Sequence, residues 1–95
     1  MTKINGIEQT PKQMVTRLKK ELKDIKHTLK NSTDTLSIST AQIEAPIVAK
    51  ELKYNQNLVK MEDIMSRMNV TRDSNAYQKL SDKYEDLRIQ NRDLY

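Results

Sequence analysis

Three groups of side chains in this 95-residue sequence have the types and spacing to do chemistry. The most prominent is cationic: Arg17, Lys19, Lys20, Lys23, Lys26 and Lys30 share one short stretch with only two acids, Glu21 and Asp24. Such a basic face draws in phosphates, anionic lipid headgroups or an acidic protein surface through its long-range field. Nucleic-acid readers commonly add aromatic platforms on which bases stack. This run has no aromatic residue and a single arginine, so a solvated face or a surface for an acidic partner accounts for it better than nucleic acid does. The second group is Asp82, Glu85 and Asp86, close enough in sequence for acid–base work. Lys79, Lys83 and Arg88 surround it, and the mixture reads as a solvated helix face. The third is His27, a lone imidazole among lysines with no second ligand at metal spacing.

Composition closes most remaining routes to catalysis. There is no cysteine, which removes disulfides, thiol nucleophiles and Cys-based zinc sites. The only glycine, Gly6, cannot build a phosphate-cradling loop and argues against a β fold rich in hairpins. No nucleophile stands with a base. The sequence therefore reads as a non-enzyme with no cofactor and no metal. The first residues, Met1 to Glu8, lack the apolar core of a signal peptide, and no run approaches the roughly 18 apolar residues of a membrane span. A cytoplasmic chain is expected, with export by a route that cleaves no signal left open.

The elements that would carry these groups are helices. Thr10 followed by Pro11 marks a start, a side-chain acceptor at N-cap and then the residue suited to N1. Behind it Val15, Leu18, Leu22, Ile25 and Leu29 repeat at 3, 4, 3, 4, a coiled-coil-like seam. The tract 31–40 is rich in Ser and Thr, whose side chains compete for backbone hydrogen bonds. The seven-residue step nevertheless continues from Leu29 to Leu36 and Ile43, which favours one helix over 10–43, weakened at 31–40, against a loop there. Pro46 then predicts a turn at Glu44-Ala45-Pro46. A second helix over 47–69 follows, its seam at Tyr54, Leu58, Met61, Met65 and Met68, widened by Leu52, Val59 and Ile64. The phase breaks near 69–74. Tyr77, Leu80, Tyr84, Leu87, Asn91 and Leu94 resume it over 74–94, as a continuation or as a third helix. The expected fold is a single all-α domain over 1–95: a lead at 1–9, then an antiparallel hairpin of two long helices.

Two helices meeting along one seam leave their side chains partly wet. A chain this short usually needs a staple, a metal or another chain to offset its conformational entropy. With no cysteine and no metal set, association is the route that remains. The expected interface is the seam itself: Leu18, Leu22, Ile25, Leu29, Leu58, Met61, Met65, Met68, Tyr77, Leu80, Tyr84 and Leu87. The partner would be another helical protein, in a hetero-complex or a homodimer. A compact three-helix monomer, folded at both 31–40 and 69–74, is the competing solution. The competing function is a small phage- or plasmid-encoded regulator or inhibitor, which would bind nucleic acid or a host protein through the basic face.

In layout, the Met-Thr-Lys-Ile lead, Leu-rich first helix, Ser/Thr tract, midpoint turn and Tyr/Leu-rich C-terminal helix resemble the small helical partner proteins of the Gram-positive type VII secretion system. More narrowly, the layout is similar to the partners of LXG-type toxins. That resemblance implies a helper that binds a toxin's helical N-terminal domain before secretion. The family's Trp-x-Gly turn is replaced by Glu44-Ala45-Pro46. Of its C-terminal aromatic-xxx-acid signal only Tyr84 matches, because Arg88 stands at the acidic place.

Overall fold

The computed structural model describes residues 3–4 and 7–95. Met1, Thr2, Asn5 and Gly6, part of the expected lead, lie outside the described residues. Two short strands, β1 (Lys3–Ile4) and β2 (Ile7–Glu8), pair antiparallel with Ile4 opposite Ile7. Every other element among the described residues is a helix: α1 (Pro11–Asn31), α2 (Thr35–Val70) and α3 (Ser74–Leu94). The all-α class holds. The chain forms two units, Met1–Asn55 and Gln56–Tyr95, and α2 runs through both.

The start of α1 is fixed locally. Thr10 N donates to Gln13 Oε1 (2.9 Å), and Gln13 N donates to Thr10 Oγ1 (3.3 Å). This reciprocal capping satisfies two backbone donors that helix geometry leaves without a partner, and Pro11 occupies N1 without needing one.

The end of α1 corrects the expected helix over 10–43. The chain leaves the helix at Ser32, which is extended with φ −76° and ψ 143°. Ser32 Oγ accepts from Asp34 N (3.1 Å), and Asp34 Oδ1 accepts from Leu36 N (3.1 Å), capping the next helix. Three residues, 32–34, thus make the whole turn, because short polar side chains capture the donors a continuing helix would use. The break is shorter than the alternative loop at 31–40. In the first unit α1 and the first part of α2 pack side by side, with Ile25 and Thr28 of α1 sharing a cleft with Leu36 and Ala41 of α2.

The expected turn at 44–46 and helix over 47–69 are corrected as well, since α2 passes through Pro46 unbroken. A proline in a helix interior forgoes one backbone bond and crowds the carbonyl four residues back, here that of Gln42. Pro46 is exposed, as is Gln42, so water can solvate the carbonyl that loses its donor.

The ambiguous phase break resolves as a third helix. α2 ends at Val70, and Asp73 caps α3 by accepting from Asn75 N (3.1 Å). Both connections are three residues long and end in aspartate, Ser32-Thr33-Asp34 and Thr71-Arg72-Asp73.

Candidate interaction surfaces

In the first unit the inward side of α1 is led by Met14 and by Leu18, which is only 1% exposed. Leu22, Ile25 and Leu29 follow, half-buried, with Val15. On α2 the covered positions are Ile38, Ala41, Ala45, Val48 and Leu52, of which Ala41 is fully buried. Their spacing of 3, 4, 3, 4 is a seam of its own. It excludes Leu36 and Ile43, the residues that had appeared to extend the α1 stripe. The three-residue turn resets the helical phase, so neither is enclosed against α1, and Leu36 stands at the rim of the cleft with Ile25 and Thr28. Leu36 is 75% exposed, Ile43 67% and Ile47 53%.

In the second unit the covered row on α2 is Asn57, Met61, Ile64, Met68 and Thr71, with Leu58 beside it. The α3 row is Ala76, Leu80, Tyr84, Leu87, Asn91 and Leu94. Met65 and Tyr77 were expected in these seams and are exposed instead; Ile64 and Ala76, one residue earlier, take the inward places. Ile64 and Leu87 are fully buried, so Leu87, like Leu18, is enclosed by its own chain.

The heptad spacing places Asn91 in the seam but does not pick out its partner. Asn57, with no exposed surface, donates from Nδ2 to Asn91 Oδ1 (2.8 Å). Asn57 Oδ1 is buried and accepts no hydrogen bond. The seam spacing selects its neighbour Leu58 instead. The usable signal was Asn57 lying seven residues before Ile64, with Met61 between them.

The basic face is where it was expected. Lys19, Lys20, Lys23, Lys26 and Lys30 are exposed along α1, and no ion pair engages them among the described residues. Arg17 differs. It is half-buried and donates from Nη1 to Gln9 Oε1 (2.8 Å), while Glu21 Oε1 lies 3.5 Å from Nε without hydrogen-bonding it. Arg17 thus ties the segment before α1 to the helix. His27 is exposed, with Asn31 Nδ2 3.1 Å from its Nδ1.

Of the acidic group around residue 85, Asp82 and Glu85 are engaged within α3 and Asp86 is exposed. Gln78 Nε2 donates to Asp82 Oδ1 (2.8 Å), and Arg88 grips both oxygens of Glu85. Arg88's hydrogen bonds, with its charge and that of Arg92, hold the Glu85 carboxyl below the ordinary glutamate range. A general acid needs the opposite shift. Among the described residues no group of three or more His, Cys, Asp or Glu is arranged to hold a metal, and no helix is long and apolar enough to cross a membrane.

No protein-family model, no curated protein and no solved structure matches the chain.

Proposed function

We propose that this chain is a non-enzymatic interaction module, a partner or adaptor for another helical protein. One observation carries the reading: α2 presents Leu36, Ile43 and Ile47 to solvent along one side. Apolar surface of this kind, gathered on one face, marks an association site more often than an isolated exposed leucine does. The segment Thr35–Ala49 around it holds a single charged residue, Glu44, in a chain that is 32% charged. Cores of protein interfaces are depleted in charge in the same way. The resemblance to LXG-toxin partners gives the proposal a concrete form, a helper for a toxin's helical N-terminal domain.

The test is co-expression with the products of neighbouring genes, followed by size-exclusion chromatography with light scattering. A stoichiometric complex that Ile43→Asp or Met65→Asp dissolves is expected. A complex that survives both, or none with any neighbour, refutes the reading.

The exposed lysines of the basic face, Lys19, Lys20, Lys23, Lys26 and Lys30, support the second reading, a regulator or inhibitor that meets nucleic acid or a host protein through that face. Under it, reversing Lys19, Lys23 and Lys26 to Glu abolishes binding, and affinity falls steeply with salt. Under the first reading the same reversal leaves assembly intact.

A further inference from the structure

We propose that the face of α2 formed by Leu36, Thr40, Ile43 and Ile47 pairs with the same face of a second copy of this chain, antiparallel, about a two-fold axis between residues 41 and 42. The inference rests on the interaction-module reading and names the partner of that surface.

Its basis is spacing and charge. The four residues are separated by 4, 3 and 4 positions, which places them on one side of a helix of 3.6 residues per turn. All four are exposed, with Leu36 and Thr40 at the rim of the cleft that α2 shares with Ile25 and Thr28 of α1. The spacing is the same read in either direction, the condition an isologous interface imposes when two identical helices run antiparallel. Leu36 then meets Ile47 of the second copy and Thr40 meets its Ile43, each contact occurring twice. Ile38, Ala41, Ala45 and Val48, on the other side of α2, stay packed toward α1.

Charge favours this occupant. The chain carries a net charge of +4 and would repel its own copy across the α1 lysines. The α2 face bears no cation between residues 35 and 49. Its one acid, Glu44, lies at the margin, where the antiparallel register sets it near Ser37 of the second copy and away from that copy's Glu44. Pairing through α2 also leaves the two α1 helices outside, with their lysines apart.

From Leu36 to Ile47 the strip is roughly 17 Å long at 1.5 Å per residue. That is short for a specific interface, so the dimer should dissociate in roughly the micromolar range. Sedimentation velocity on the purified full chain should show monomer giving way to dimer as concentration rises. Ile43→Glu should weaken dimerisation by more than about tenfold with unchanged far-UV circular dichroism. The chain has no cysteine of its own, so register can be read by disulfide trapping. Mixing Leu36→Cys with Ile47→Cys protein under mild oxidation should give cross-linked dimer faster than either variant alone.

A chain that stays monomeric at every concentration overturns the proposal, as does a dimer indifferent to Ile43→Glu. A disulfide between two Leu36→Cys copies, which requires parallel pairing, overturns it too. A monomer that still binds a neighbouring gene's product through the same face refutes self-pairing while leaving the interaction-module reading in place.

Discussion

Replacing Asn91 with leucine should destabilise the second unit, and replacing Asn57 along with it should recover that loss. Asn57 Nδ2 donates to Asn91 Oδ1, and Asn57 Oδ1 is a buried acceptor that is already unsatisfied. Asn91→Leu strips Asn57 of its remaining acceptor and leaves a whole amide buried without partners. Each unpaired buried polar group costs about 1–3 kcal/mol. The apolar surface gained from leucine recovers part of this, so a net loss of about 1–2 kcal/mol is expected. The double leucine variant removes the orphaned oxygen and the amide together. It should stand about 2 kcal/mol above Asn91→Leu, a difference in Tm of roughly 10 °C for a domain of this size. Urea and thermal unfolding followed by circular dichroism, run as a double-mutant cycle, measure both numbers. If Asn91→Leu alone stabilises the protein, or the double variant falls below the single one, the amides are not a sequestered pair and the reasoning fails. A polar residue in a helical seam can also fix register. The double variant should therefore give broader amide spectra than the wild type if the pair selects one alignment of α2 and α3.

Pro46→Ala restores a backbone donor inside α2 and should raise stability by up to about 3 kcal/mol in thermal unfolding. Leu18→Ala empties the most enclosed apolar site of the first unit and should cost about 2–5 kcal/mol, measured the same way. Glu85 should titrate below the ordinary glutamate range in carboxyl-detected NMR, and Arg88→Met should return it upward. Because its folded pKa is lowered, the stabilisation it supplies is present above the unfolded-state pKa. It fades as pH falls through the lowered folded value, so Arg88→Met should flatten that part of the acid dependence.

What the sequence revealed and concealed follows from the range of each signal. Thr10 and Pro11 act within one turn, and the structure has the capping box there. The row from Leu18 to Leu29 repeats at helical period with nothing to interrupt it, so its inward face could be read directly. Between residues 29 and 46 two signals gave the wrong answer. The step from Leu29 to Leu36 and Ile43 preserved a heptad count across a turn that resets phase, so residues that counted as seam face outward. Pro46 counted as a stop, but the position is exposed and the helix around it is held by Ala45 and Val48 on the covered side. α2 further conceals its pattern by burying different rows in its two halves, 38–41–45–48–52 in the first unit and 57–61–64–68–71 in the second. No single periodic stripe describes such a helix. Asn57 was hidden because hydropathy assigns a buried place to Leu58 before it considers an asparagine.

The proline and the exposed apolar strip occupy the same part of α2, which couples association to local helix stability. Residues 35–45 form a segment of eleven residues ahead of Pro46, shorter than the roughly 12–15 at which isolated helices become even marginal in water. On the α1 side this segment is held largely by small residues, Ala41 and Ala45, with Ile38, while Leu36 and Ile43 bury little within their own chain. A partner covering Leu36, Ile43 and Ile47 would supply the apolar contact the segment lacks and protect its amides. Hydrogen exchange should then slow in residues 38–45 as protein concentration rises through the dimerisation range. Amides around Leu18 and Leu87, enclosed within their own chain, should not respond. Equal protection of residues 38–45 at both ends of the concentration range would mean that α2 is already fully stable on this side, and that covering the strip does nothing for the fold.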